Sequence, residues 1–159
     1  MSYPGRSYSP PSREQPTSEL MTSLSLSPDA VTVLGLAGSA LPFAQSIDDE
    51  VERWLRPLRL YGESGRALQS LGISEAPLDA SKRVSAGPTA ESPDDVLHDV
   101  TIGASRLATE RGATTVGTSD ILLAVMEHYG DAFESALRCR SSDSLELIAT
   151  LAERTHTAC

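Results

Sequence analysis

The sequence predicts an all-α fold of about eight helices, arranged as two pseudo-symmetric repeats of four helices each. Three observations lead to this prediction. Aromatic residues make up only 4% of the chain, so the core must be built from Leu, Val, Ile and Ala, a mixture that favours helices over a sheet. Apolar residues recur at the spacing of a helix face. The same helix-start signal, Ser-Pro-Asp, occurs at Ser27 and again at Ser92.

The first predicted helix begins at Ser27, which is suited to cap it. Pro28 fits the first helical position, and Asp29 places an acid in the first turn. Pro42 ends this helix. Its apolar face is formed by Ala30, Val33, Leu34, Ala37, Ala40 and Leu41.

Three further helices are predicted in the first half of the chain. The acids at 48–50 suit a helix N-terminus, and this second helix contains Pro57, which we expect to kink or shorten it. A short third helix spans 64–71 and is closed by Gly72. Residues 78–84 add a brief fourth piece.

The second half repeats these signals in the same order. A long helix runs from the Ser-Pro-Asp signal at 92–94 to Gly112, and Thr118 caps the next helix. The turn at 60–63, Leu-Tyr-Gly-Glu, matches the turn at 128–131, His-Tyr-Gly-Asp. A last helix covers 144–153. Such self-similarity indicates one helical unit used twice, with each copy burying its apolar face against the other.

The composition divides the chain into four segments. Residues 1–25 are rich in Pro and Ser and poor in core-forming residues, which predicts a disordered tail. The first repeat covers 26–84, a linker covers 85–91, and the second repeat covers 92–155. A chain of 159 residues is long enough for one domain with its own core, and we expect a monomer.

Charge and hydropathy disfavour nucleic acids and membranes as partners. The formal net charge is −9 and the sequence pI is about 4.7, so the protein repels phosphate backbones, and no basic stripe is visible. No apolar run approaches the roughly 20 residues of a membrane-spanning helix, and the first residues lack the order of a signal peptide. The sequence therefore predicts a cytoplasmic protein.

No pattern of residues predicts a metal, a cofactor or a catalytic centre. Cys139 and Cys159 lack the closely spaced partners of a structural zinc site and are expected to be reduced thiols. His98, His128 and His156 lie far apart and outside any His-x-x-x-His context. No Gly-x-Ser-x-Gly motif occurs, and we expect a protein that is not an enzyme.

Two passages of the second half carry a resemblance to a known family. Residues 107–112 read Leu-Ala-Thr-Glu-Arg-Gly, and residues 116–124 read Val-Gly-Thr-Ser-Asp-Ile-Leu-Leu-Ala. With the double repeat, they resemble the amino-terminal domain of Clp-family protein unfoldases, where an alanine-bearing helix ends at Gly and Gly-Thr-Glu-His opens a leucine-rich helix. The first half resembles it less, chiefly at 54–55, 61–63 and 67–73. The resemblance covers residues 26–154.

The resemblance implies a function in recognition. In the family, this domain lies ahead of ATPase modules and docks adaptors and client proteins; in some members it receives phosphorylated arginine, and in actinobacteria it is the target of cyclic-peptide antibiotics. The sequence contains no Gly-x-x-x-x-Gly-Lys-[Ser/Thr] to hold nucleotide phosphates, so we expect a free-standing copy of the recognition domain. The implied role is modulation of Clp-dependent proteolysis as a sensor, decoy or adaptor.

The candidate ligand-binding residues lie at the predicted helix N-termini, where free N–H groups and the helix dipole favour an anion. The same residue types are ordinary helix caps, and both interpretations are open at this stage. Ser119 stands where the family has the acid that pairs with the guanidinium of phosphoarginine, and Asp120 beside it could substitute in part. The candidates are Ser27, Asp29, Asp49, Glu50, Ser92, Asp94, Thr118, Ser119 and Asp120.

Two further features leave alternatives open. Trp54 belongs either to the core or to an anchor for a partner. A group of arginines forms either a solvated helix face or a surface for an acidic partner. Used as a nucleic-acid surface, the group gives the alternative function, a regulatory protein acting on transcription. These arginines are Arg53, Arg56, Arg59 and Arg66.

Overall fold

A computed structural model describes residues 24–73, 91–138 and 142–157, with side chains as far as residue 153. Most of these residues are helical, which confirms the all-α prediction. The predicted fourth piece at 78–84 lies outside the described residues, as do both cysteines. The described elements are β1 (Ser25–Leu26), α1 (Pro28–Ala40), α2 (Ile47–Leu60), α3 (Gly62–Ser70), α4 (Pro93–Glu110), β2 (Thr115–Val116), α5 (Thr118–Tyr129), α6 (Asp131–Arg138) and α7 (Ser144–Thr157).

The two Ser-Pro-Asp signals start helices as predicted. The Ser27 hydroxyl accepts a hydrogen bond from the Ala30 amide at 3.1 Å. The Ser92 hydroxyl accepts one from the Asp95 amide at 3.3 Å. Each serine thereby satisfies one of the amides that a helix start leaves without an intrahelical acceptor.

The structure changes one expectation about the start of α5 and one about the length of α2. Thr118 was expected to cap α5, but the N-cap is Gly117 and Thr118 is the first helical residue. Pro57 was expected to kink or shorten α2, and it does not shorten the helix, which continues past it to Leu60. The cap of α2 is Ser46, whose hydroxyl accepts a hydrogen bond from the Asp49 amide at 3.1 Å.

A glycine with positive φ lies at both of the turns that the sequence matched to each other. Gly62 has φ 65° between α2 and α3, and Gly130 has φ 52° between α5 and α6. Residues with a Cβ pay a steric cost in this region, so glycine allows the chain to turn sharply from one helix into the next.

A short parallel pairing of β1 with β2 was not predicted from the sequence. Ser25 pairs with Thr115 and Leu26 with Val116, and the Ser27 amide continues the ladder by donating to the Val116 carbonyl at 2.9 Å. Ser25 was assigned to the N-terminal tail by composition. The pairing holds the start of α1 beside the start of α5.

The core is aliphatic and centres on one tryptophan. Trp54 is fully buried, which answers the choice between core and surface anchor. Its indole N–H donates to the Tyr129 hydroxyl at 3.1 Å and so joins α2 to the end of α5. Among the described helices, none has the length and apolar character that crossing a bilayer requires.

Candidate functional site

The fold collects the nine candidate residues at two separate places. The first is the junction of the α1 and α5 starts, which β1 and β2 hold together. The second is the junction of the α2 and α4 starts, where Glu50 of α2 and Glu91, just before α4, line one cavity. Each place therefore combines a helix start from the first half of the chain with one from the second half.

The α5 start is sealed inside the protein. Thr118 is 3% exposed and Ser119 is 8% exposed. The Thr118 hydroxyl accepts a hydrogen bond from the Ser64 amide at 3.2 Å, close to the Gly62 turn. A ligand could reach the Thr118 side chain only if the start of α3 moved away.

Asp120 is saturated by partners from its own chain. Its carboxylate is 1% exposed and accepts hydrogen bonds from Arg111 Nε at 2.8 Å and from the second Arg111 nitrogen at 2.6 Å. The Gly117 amide donates to the same carboxylate at 2.9 Å. The hydrogen bond from Arg111 to Asp120 raises the pKa of the guanidinium. Asp120 therefore has little capacity left for the guanidinium of a ligand.

The remaining candidates of the first place are a cap and an exposed acid. Ser27 caps α1, as described, and Asp29 is exposed in the first turn. Its charge stabilises the positive end of the helix dipole and would repel an anionic ligand from the same amides. At this place, the structure favours the capping interpretation over an anion site.

The α2 start holds two buried acids in different environments. Asp49 accepts a hydrogen bond from the Gln45 amide at 3.1 Å and forms an ion pair with Arg53. Glu50 is 5% exposed. Burial, followed by repulsion from Glu91, raises the pKa of Glu50, and a hydrogen bond with Tyr129 offsets part of this rise. No guanidinium of the described residues pairs with Glu50.

Glu50 borders a cavity of about 180 Å³ between α2, α4 and α5. Burial also raises the pKa of the Tyr129 hydroxyl, so this group stays protonated and remains a donor. Ser92 and Asp94, the other candidates of this place, are exposed, and Ser92 caps α4. The cavity is lined by Ile47, Glu50, Glu91, Val96, His128 and Tyr129.

A larger groove lies between α4, α5, α6 and α7, and the sequence did not single it out. Its volume is about 380 Å³. Its apolar lining comes from four helices, so no pattern within a single helix predicts it. Ile148 of α7, which belongs to this lining, stays 44% exposed. Acidic side chains border it: Glu127, Asp131 and Glu134. The apolar lining consists of Leu107, Leu123, Met126, Phe133 and Ile148.

The arginine group of the first half is engaged within the protein. Arg53 pairs with Asp49, and Arg66 pairs with Glu63. Arg56 and Arg59 also have interaction partners. These contacts reduce the positive charge that the group offers to a phosphate backbone, so the structure does not favour the nucleic-acid alternative.

The sequence was compared with protein families and with curated proteins. No family model matches the chain. No curated protein matches it either.

Proposed function

We propose that this chain is a non-catalytic protein-binding module of the Clp amino-terminal type, which modulates Clp-dependent proteolysis by binding adaptors, client proteins or peptide inhibitors. The observation that carries the binding part of this proposal is the acid-bordered apolar groove between α4, α5, α6 and α7. The link to Clp rests on the sequence resemblance at 107–112 and 116–124.

The helix packing supports the two-repeat organisation that belongs to this proposal. Helix α2 packs against α6, and α3 packs against α5. If the two halves are related by a two-fold repeat, α1, α2 and α3 correspond to α4, α5 and α6. The α2–α6 pair then corresponds to the α5–α3 pair, and both pairs are in contact. The α1–α4 and α2–α5 pairs each join a helix to its own counterpart in the other half, and both of these pairs are also in contact. The predicted fourth piece of the first repeat, at 78–84, lies outside the described residues.

The groove suits a peptide with a large apolar side chain flanked by arginine or lysine. Pockets of this kind, with an apolar floor and a few polar groups at the edge, are typical ligand sites. Asp131 is exposed and makes no ion pair with a described residue. Glu134 has a long contact of 3.8 Å with Arg138 and accepts a weak hydrogen bond from the Ser144 amide at 3.5 Å. With a net charge of −9 on the chain, these acids attract a basic partner.

Phosphoarginine and cyclic peptides are ligands that the resemblance implies. For phosphoarginine, the Asp120 carboxylate is the natural partner of the ligand guanidinium, and Arg111 already holds it. We therefore propose apolar, basic segments of adaptors or client proteins, rather than phosphoarginine, as the preferred ligands. A cyclic apolar peptide is compatible with the groove.

A peptide titration with one matched pair of variants tests the groove. A peptide with leucine and phenylalanine between arginines should bind with micromolar affinity. Replacing its arginines with glutamates should weaken binding at least tenfold, because the acids at the border of the groove would then repel the peptide. The variant Ile148→Glu should also lose about tenfold or more, because it places a charge on the apolar floor. The variant Leu145→Glu is the control: it makes the same change on the same helix at a residue that is 77% exposed and outside the groove.

Equal losses in both variants, or equal binding of the basic and acidic peptides, would contradict docking in this groove. The Clp part is tested separately by adding the protein to a reconstituted Clp unfoldase–protease that degrades an adaptor-delivered substrate. The degradation rate should change with the wild-type chain and with Leu145→Glu, and much less with Ile148→Glu. Unchanged rates with the wild-type chain would overturn the Clp role while leaving peptide binding to stand on its own titration.

A further inference from the structure

Three potential metal ligands meet beside the Glu50 cavity. They are Glu91 just before α4, Asp99 in the second turn of α4, and His128 near the end of α5. One ligand atom from each residue lies within 4.8 Å of the other two. His128 Nε2 and Glu91 Oε2 are 3.3 Å apart.

We propose that Glu91, Asp99 and His128 bind a divalent transition-metal ion of the zinc type. Zinc takes imidazole nitrogen and carboxylate oxygen at roughly 2.0–2.2 Å in a tetrahedron, so two of its ligand atoms lie about 3.4 Å apart. The contact between His128 and Glu91 already has this separation. The Asp99 ligand atom lies within 4.8 Å of the other two, and a rotamer change at this exposed side chain would bring it to the same point. Water supplies the fourth ligand.

The imidazole distinguishes this group from an ordinary cluster of surface acids. Carboxylates alone suit calcium or magnesium, whereas an imidazole with two carboxylates suits zinc and its neighbours in the first transition row. The His128 ring is held in place, because it packs edge-on against the Tyr129 ring with the ring centres 4.8 Å apart. Its side chain is 20% exposed, which leaves a path to solvent.

The buried carboxylate next to the cluster is a second and independent indication of a cation. Glu50 lies in the wall of the same cavity as Glu91 and His128, is 5% exposed, and has no described guanidinium partner. Its hydrogen bond with the Tyr129 hydroxyl involves a neutral donor. A buried negative charge without a counter-ion is unfavourable. A divalent ion held by Glu91 and His128 would provide that counter-ion.

The proposed ion would act as a clamp. It would tie the residue before α4 to the end of α5, two points that are far apart in the sequence. Binding only to the folded chain would stabilise it in proportion to the metal concentration. The sequence predicted no metal site, because these three ligands are not closely spaced along the chain and are brought together by the packing of α4 against α5.

The chain contains its own reporter for the test. Trp54 is the only tryptophan, and its indole N–H contacts the Tyr129 hydroxyl beside the cluster. The full chain should carry Cys139→Ser and Cys159→Ser and no affinity tag, so that thiols and added histidines do not bind zinc. Addition of Zn²⁺ should change the Trp54 fluorescence with micromolar or tighter affinity by calorimetry and raise the midpoint of thermal unfolding. Mg²⁺ at the same concentrations should do neither.

Matched variants assign the ligands. Loss of a group that only supports a ligand typically costs about 10–100-fold in metal affinity, so His128→Gln and Asp99→Asn should each weaken Zn²⁺ binding at least tenfold. The controls are His98→Gln and Asp94→Asn, which change the same residue types on exposed positions of α4 outside the cluster. Asp99→Asn alters an exposed side chain, so it remains informative if His128→Gln does not fold. Zinc binding that is absent, equal to that of Mg²⁺, or unaffected by both ligand variants would overturn the proposal.

Discussion

The starts of α5 and α2 both bury an acid, and they treat its charge in opposite ways. At the α5 start, Asp120 is 1% exposed and accepts hydrogen bonds from Arg111 Nε, from Arg111 Nη2 and from a backbone amide. At the α2 start, Glu50 is 5% exposed and has a tyrosine hydroxyl as its donor, with Glu91 adding to the negative potential. The first is a closed structural joint, and the second is an electronegative cavity.

The difference shows that a helix-start motif does not by itself define a binding site. Both starts combine a cap with an acid in the first turn, and both read alike in the sequence. What separates them is a guanidinium that the fold brings to Asp120 and does not bring to Glu50. We therefore expect substitutions at the two places to change the free energy of unfolding by different amounts. Removing the Arg111 charge should destabilise the protein, whereas removing the Glu50 charge should stabilise it.

The largest effect is expected at the turn that seals the α5 start. In Gly62→Ala, the new Cβ would overlap the Thr118 hydroxyl, and the backbone there has φ 65°. The strain of positive φ costs roughly 1–2 kcal/mol, and displacing Thr118 breaks its bond from the Ser64 amide for about 1 kcal/mol more. We expect a loss of about 2–3 kcal/mol in the free energy of unfolding, measured by urea denaturation.

Gly72→Ala is the matched control for that measurement. Gly72 has φ 71° in the turn that follows α3, and a Cβ added there would meet no heavy atom of the described residues within 4 Å. It should lose only the strain cost, about 1–2 kcal/mol. Equal losses in the free energy of unfolding for the two glycine variants would mean that the contact between Thr118 and the start of α3 adds no stability.

The second effect in size concerns the charge on Asp120. Arg111→Ala leaves a buried carboxylate without its cation, a change that costs about 3–5 kcal/mol in a fully buried pair. The Arg111 side chain is 45% exposed, and solvent reduces the penalty. We expect a loss of about 2 kcal/mol by urea denaturation. Arg106→Ala, which removes an exposed pair with Glu110 and Glu127, should change nothing measurable.

The local signals of the sequence were sufficient for much of the fold. Ser27 and Ser92 cap helices where the Ser-Pro-Asp motif predicts it, because capping needs only residues within one turn. The glycine turns were found for the same reason. The pairing of β1 with β2 was missed, because two-residue strands have no periodicity and depend on a partner far along the chain.

The candidate sites were only partly predictable. The sequence named Asp120 and Glu50 together, since position at a helix start is a local property. It could not show that Arg111 reaches the first, or that Glu91 and His128 surround the second, because these contacts depend on how α4 packs against α5 and α2. The groove that ends at Ile148 combines four helices and was invisible for the same reason.

The smallest effect is expected at Glu50 and has the opposite sign to the others. The pKa of Glu50 is raised by burial, by Glu91 and by Asp49, so the folded protein binds this proton more tightly than the unfolded chain. The stabilisation from that proton is complete below the ordinary value of 4.5 and is lost as the pH rises through the higher pKa of the folded state.

Once the pH exceeds this raised pKa, the wild-type chain carries the cost of an ionised, buried Glu50, and Glu50→Gln should be the more stable protein by about 1 kcal/mol. The amide oxygen of the glutamine can still accept the hydrogen bond from Tyr129. Urea denaturation in the presence of a metal chelator, repeated between pH 4 and pH 7, should show the two proteins nearly equal at the acid end and diverging as the pH rises. A variant that is less stable than wild type at pH 7 would show that the hydrogen bond with Tyr129 outweighs the cost of burying the Glu50 charge, and would remove the contrast with Asp120.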